Sequence, residues 1–353
     1  MAESAAVRPA RVRLAVGVAV AAALAVGLLL WAKWWPYAAK VPGLAASGAW
    51  PGSDILRVGG VEAGDAPSWG AATSFTRAYG EAVWRALLAA LLISAALQTL
   101  VPRSWLLRVL NRRGVLRSAL AGGLAGTPSM MCTCCTAPVA VGLRRSGVST
   151  AAVVAYWLGN PLLNPAVLVF LLLVAPWQWT VTRLVVGVLV VVGGAALVAR
   201  LAEGRRPAGP AVTAGVADEP PSVRRYAAVL LRMSLVLVPE YLVVVMLIGA
   251  FRGWLLPLGP GLGSGVLVVV VAAVLGTALV VPTAGEIPVA QGLALAGLSL
   301  GGAGALLLTL PAVSVPGMVM VGRAFGWRVT LATAGVAVAG GLLAAVLLTL
   351  LGS

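Results

Sequence analysis

Apolar runs of about 20 residues, the length that crosses a hydrocarbon core of roughly 30 Å, recur along nearly the whole chain. Short stretches rich in arginine, proline and glycine separate them. Inside lipid every backbone polar group must find a partner within the protein, so segments of this length fold as helices. With 61% hydrophobic residues, 10% charged residues and a mean hydropathy of +1.02, the chain lies far from soluble domains, where about 25% of residues are charged. It reads as an all-α polytopic membrane protein whose first partner is the lipid bilayer.

The net charge of +15 does not point to nucleic acid. The basic residues sit in clusters between apolar runs, where they act as topology signals. The chain has no histidine, which excludes imidazole metal ligation and histidine-based catalysis. No G-x-x-x-x-G-K-[ST] occurs, so transport energy would come from an ion gradient, the membrane potential or a separate ATPase. Nothing in the sequence requires a bound cofactor.

At the N-terminus Arg8, Arg11 and Arg13 precede an apolar run over 14–32. The run is longer than the 7–15 residues usual in a signal peptide, so a retained transmembrane helix is expected. Residues 33–76 hold Gly, Pro, Ser and Trp with Asp54, Glu62 and Asp65, which reads as an extracytoplasmic loop completing a first unit, 1–76. Apolar segments at 81–101, 118–143, 150–175 and 182–199 make a second unit, 77–199. A polar linker, 200–225, leads to a third unit, 226–353, with segments at 226–250, 265–293, 299–322 and 329–351.

The last two units are related. A shift of 150 residues brings Gly126-Thr127 onto Gly276-Thr277 and "PVAVGLRRSGVS" from Pro138 onto "PVAQGLALAGLS" from Pro288. Just upstream, Arg103-Ser-Trp-Leu-Leu aligns with Arg252-Gly-Trp-Leu-Leu at a shift of 149. If the segments 118–143 and 265–293 are re-entrant hairpins, each half has three crossings and the halves are inverted. That arrangement puts 17 of the 25 basic residues on the cytoplasmic side, with the N-terminus and the linker; full crossings would split them about evenly. Six basic residues, Lys33, Lys40, Arg57, Arg77, Arg183 and Arg252, then lie outside. Both hairpins carry helix-breaking residues in mid-segment, "AGTPSMMCTCCTAP" and "LGTALVVPTAGEIP". Broken helices in inverted repeats are a transporter architecture, and the two tips would meet near the centre, with Pro128, Pro138, Gly142, Pro161, Pro165 and Pro288 as hinge positions.

All three cysteines, Cys132, Cys134 and Cys135, fall on one tip, preceded by Met130 and Met131. Sulfur ligands select soft, thiophilic centres over magnesium or calcium. The thiolate is the ligating form, and a helix starting near Pro138 would turn the positive end of its dipole toward the cluster. Acidic residues within membrane segments are costly and point to function. Glu286, the repeat equivalent of Thr136, is the coupling candidate; Glu240, after Pro239, is a second candidate or the partner of Arg232. Glu81 reads as interfacial. Asn160, Asn164 and Gln291 either line a pathway or bond helix to helix.

The stretch "CTCCTAPVAVGLRRSGVSTAAVVAYWLGNPLLNPAVLVF" from Cys132 to Phe170 resembles the signature of the ArsP-type permease family, and "PTAGEIPVAQGL" echoes it. The likeness spans about residues 81–351. Cys132 and Cys134 match the family's Cys-x-Cys, Pro138 and Gly142 the following motif, and Asn160, Pro161, Asn164 and Pro165 the downstream one; Cys135 replaces an expected glycine. The resemblance implies an inner-membrane efflux permease for trivalent organoarsenicals or related heavy metals, not an enzyme. Substrate would be held by Cys132, Cys134, Cys135, Met131, Asn160 and Asn164, with Glu286 and Glu240 in coupling. A copper(I) or zinc exporter on the same scaffold and a membrane thiol-disulfide oxidoreductase are the alternatives.

Overall fold

The structure is a computed structural model that describes residues 2–50, 55–203, 222–255, 265–295 and 297–352. Most of the expected linker, 204–221, lies outside the described residues. The described chain is helical throughout: α1 (Ala2–Leu29), α2 (Trp35–Ala38), α3 (Val41–Ser47), α4 (Trp69–Thr99), α5 (Arg103–Leu110), α6 (Val115–Gly126), α7 (Thr133–Arg145), α8 (Thr150–Leu162) and α9 (Pro165–Val174). Then come α10 (Trp177–Val188), α11 (Ala195–Glu203), α12 (Val223–Leu255), α13 (Val266–Ala278), α14 (Glu286–Leu295), α15 (Leu300–Ala312), α16 (Val315–Phe325) and α17 (Trp327–Gly352). Among the described residues six stretches are long and apolar enough to span a membrane: Val16–Ser47, Trp69–Thr99, Thr150–Val174, Trp177–Ala202, Val223–Trp254 and Trp327–Gly352. The pair α15–α16, bent by 49°, makes up to seven. The short helices α6, α7, α13 and α14 are left over, in the two segments expected to be broken.

Several boundaries differ from the sequence reading. The first span does not end near residue 32; it runs on through a π-helical turn, Leu30–Trp34, into α2 and α3. Lys33 therefore lies inside a helix and is buried, not in an aqueous loop. Helix α4 begins at Trp69, twelve residues before the expected segment, with Ser68 capping it through the Ala71 amide. It thus crosses the expected unit boundary at 76/77. Glu81 stands on this helix, exposed and paired with Arg77 at 3.1 Å. Helix α7 begins at Thr133 and holds Pro138 inside it, so the helix start expected near Pro138 falls on the cysteines instead.

The two ends of the α6–α7 segment lie side by side. Arg103 Nε donates to the Ser146 carbonyl (2.6 Å), Asn111 Nδ2 to the Gly147 carbonyl (3.4 Å), and Asn111 Oδ1 accepts from the Ser149 amide (2.8 Å). The residues that lead into α6 thus hold those that leave α7. The exit is a Schellman turn: Gly147, at φ 87°, donates to Arg144 O and Val148 to Leu143 O. The same turn recurs 150 residues on, with Gly297 at φ 100°, Gly297 to Ala294 O and Leu298 to Leu293 O. Ser149 and Ser299 then cap α8 and α15 through Ala152 and Gly302.

Helix α8 is the buried centre, and α6 lies against it through bare backbone. A Cβ on Gly122 would sit 2.0 Å from Ala152 O, and one on Gly126 2.5 Å from Tyr156 O. Small residues at four-residue spacing let membrane helices approach this closely. Arg183 and Arg252, expected outside, are fully buried. Arg252 donates to the carbonyls of Ala71, Val58 and Gly249, which ties the end of α12 to the start of α4. Each guanidinium is bonded inside the protein to backbone carbonyls of other segments.

Candidate functional site

The cysteines stand where a broken helix restarts. Helix α6 ends at Gly126, a 3-10 turn covers Thr127–Ser129, and Met130 takes a left-handed conformation (φ 52°). Cys132 is extended and is the N-cap of α7, with Cys134 and Cys135 in the first turn. That places the positive end of the helix dipole at the sulfurs. The break sits where Pro128 and the small residues around it weaken helix, and its backbone groups are met by neighbours. Thr127 Oγ1 donates to Gly123 O (3.0 Å) and Trp34 Nε1 to Pro128 O (2.7 Å). Trp157 Nε1 donates to Thr133 O (2.8 Å), and Ser94 Oγ to Pro138 O (2.6 Å). The Ser129 hydroxyl contacts both Gly126 O and Asn160 Oδ1. From the other half, Ser314 Oγ lies 3.3 Å from Thr133 Oγ1.

Cys132 Sγ is 3.0 Å from the sulfurs of both Cys134 and Cys135, which are 4.0 Å apart. All three thiols are free and buried, and they form a group whose sulfurs could ligate one ion. Tyr79 OH lies 3.3 Å from Cys134 Sγ, and Met131, next in the chain, is buried. A cation overlooked in the sequence lies on the first span. Lys33 Nζ donates to Tyr37 OH (3.1 Å) and to Thr283 Oγ1 on the second tip (3.3 Å), while its neighbour Trp34 bonds the thiol tip at Pro128 O. Thr283 and Thr133 are equivalent under the 150-residue shift, and Lys33 and Trp34 together tie the first span to both tips.

Glu286 opens α14 and is paired with Arg183 at 2.8 Å, the two side chains 1% and 0% exposed. Arg183 also donates to Pro161 O (2.7 Å) and Leu162 O (3.3 Å). The proline at 165 has no N–H for the first carbonyl, and the Ala166 amide that would reach the second is taken by Asn164 Oδ1. Arg183 therefore fills the break between α8 and α9 and grips the second tip at once. Glu286 Oε2, Arg183 Nη1 and Asn164 Nδ2 are buried without a hydrogen-bond partner among the described residues.

The remaining candidates divide. Asn160 donates to Tyr156 O and, through Ser129, is brought to the thiol tip. Asn164 caps α9, and Gln291 Nε2 donates to Val174 O (2.6 Å). Glu240 pairs with Arg323 at 2.6 Å, not with Arg232. Gly142 brings α7 against α4, since a Cβ there would meet Ser94 Oγ at 2.7 Å. Lys33 and Arg183 were missed because each was assigned to a span edge; a charge inside an apolar run was the available signal.

Residues 68–350 match a family described as a predicted permease, ArsP_1. The UPF0718 protein YraQ of Escherichia coli (strain K12) is 39% identical over 303 residues, covering 84% of this chain and 84% of that protein. No solved structure matches the chain.

Proposed function

The chain belongs to the ArsP_1 family of predicted permeases, and we propose that this multi-pass permease exports a thiophilic metal or metalloid species of the trivalent organoarsenical type, bound by Cys132, Cys134 and Cys135. The buried three-sulfur cluster carries this reading. Three sulfurs at about 2.3 Å from one centre stand about 4.0 Å apart when the centre lies in their plane, and closer when it is pyramidal. Separations of 3.0, 3.0 and 4.0 Å suit the pyramid better, in which a trivalent organoarsenical takes two of the sulfurs and keeps its carbon as the third ligand. Copper(I) on the same scaffold is favoured by the buried Met131 thioether beside the cluster. Thiol-disulfide exchange is disfavoured, because sulfurs this buried give a partner thiol no approach.

The halves act as inverted repeats in the inner membrane, with the N-terminus and linker cytoplasmic and one re-entrant hairpin per half. The side-by-side ends of α6 and α7 and the repeated Schellman turn support this, as does the arginine count. Burial of Lys33, Arg183 and Arg252 removes three of the six basic residues assigned to the outer face. Alternating access is a rocking of one half on the other. Arg183 belongs to the first half and Glu286 to the second, so a proton taken by the unpartnered Glu286 Oε2 weakens the clamp between them and couples release to proton entry. Glu240 faces a partner within its own half and has less claim to coupling.

The test is a sensitive strain challenged with methylarsenite, copper, zinc and cadmium. The chain is expected to protect against methylarsenite, and Cys132→Ser, Cys134→Ser and Cys135→Ser to lose that protection. No protection by the native chain, or full protection by all three variants, would sink the thiol-export reading.

A further inference from the structure

A cavity of about 480 Å³ lies between the first span, α4 and the second tip; Lys33, Thr283 and Ala78 are in its lining, the last next to the Tyr79 whose hydroxyl touches Cys134 Sγ. The thiol chemistry above does not use it. Three cations, Lys33, Lys40 and Arg85, face it against one carboxylate, Glu81, which already pairs with Arg77 at 3.1 Å. Lys40 rests on the Trp50 ring at 5.8 Å, and Arg85 on Trp84 at 5.4 Å, so aromatic faces hold both cations at the wall. Lys33 is 6% exposed. Its hydrogen bonds go to neutral oxygens only, although an ammonium has three donors. No carboxylate pairs with it among the described residues. A buried ammonium is costly without a counter-charge.

An arsine oxide, R–As=O, and two thiols form two As–S bonds and release one water, a step that is neutral throughout. It does nothing to offset the Lys33 charge, which is met only if the group R carries an anion. We propose that the cavity is the binding site for a carboxylate carried by the cargo, so that the preferred substrate is an anion-bearing thiophile whose soft centre sits on the cysteines and whose carboxylate faces Lys33, Lys40 and Arg85. This rests on the thiol-export reading and narrows its substrate class.

The full chain, purified in detergent, is titrated by isothermal calorimetry. The probes are phenylarsine oxide, 4-carboxyphenylarsine oxide and benzoate. The carboxylated arsenical should bind about tenfold more tightly than the neutral one, the order of one charge-assisted hydrogen bond. In Lys40→Gln/Arg85→Gln, both exposed positions, the ratio should fall toward one. Equal affinities in the native chain, or an undiminished ratio in the double variant, overturn the proposal. If neither arsenical distinguishes the native chain from Cys132→Ser, the thiol reading fails, and benzoate decides the cavity alone: binding lost in the double variant sustains the anion site, and no binding overturns it.

Discussion

Replacing Arg183 and Glu286 singly and together should give a double variant more stable than either single one. Breaking a buried ion pair costs about 3–5 kcal/mol, because the remaining charge stays buried alone. At 0% and 1% exposure this pair receives no help from solvent, so Arg183→Leu and Glu286→Leu should each approach that figure. Glu286→Gln keeps a neutral acceptor for Arg183 Nη2 and should lose about 1 kcal/mol less. In Arg183→Leu/Glu286→Leu both charges are gone. What is left is the two carbonyls, Pro161 O and Leu162 O, that Arg183 serves, each worth about 0.6 kcal/mol in a membrane bundle. The double loss is then about 1 kcal/mol, smaller than either single loss. Thermal melts of the detergent-purified full chain, arranged as a double-mutant cycle, read this directly. Additive losses, with the double variant the least stable, would refute the clamp between the halves.

Three further outcomes are expected. Gly122→Leu should remove folded protein from the membrane fraction, since even a Cβ there would lie 2.0 Å from Ala152 O; wild-type levels would mean that α6 does not rest on α8. Trp157→Phe takes away the donor to Thr133 O and should lower stability by about 1 kcal/mol while weakening arsenical binding, because that carbonyl lies in the first turn beside the thiols; unchanged binding would detach the tryptophan from the site. Single cysteines introduced at Arg113 and Ser146 should react with an impermeant maleimide from the same side of the membrane, the cytoplasmic one, and labelling from opposite faces would contradict the hairpin.

How much of this was legible before any coordinates depends on the range of the interactions concerned. The helix breaks were readable, because Pro128, Pro161, Pro165 and the Gly-Thr-Pro steps act on the backbone where they stand. So was the pairing of Gly147 with Gly297, which take a positive φ at the same turn 150 residues apart. Where the breaks find their partners was not readable. Arg183 is 22 residues from the Pro161 carbonyl and 103 from Glu286, and only folding brings the three together. Pairing Glu240 with Arg232 failed for the same reason: Arg323 reaches it across the fold.

The sequence by itself determined a helical membrane protein with its three thiols gathered on one helix break. Hydrophobic length and local backbone chemistry are written residue by residue, and both are enough for that. Tertiary structure alone decided which charges are buried, that α7 restarts at the cysteines, and that Lys33 from the first span bonds the second tip. Those are long-range matters: a buried charge is held by the groups it bonds, and for Arg183, Arg252 and Lys33 such groups lie far along the chain.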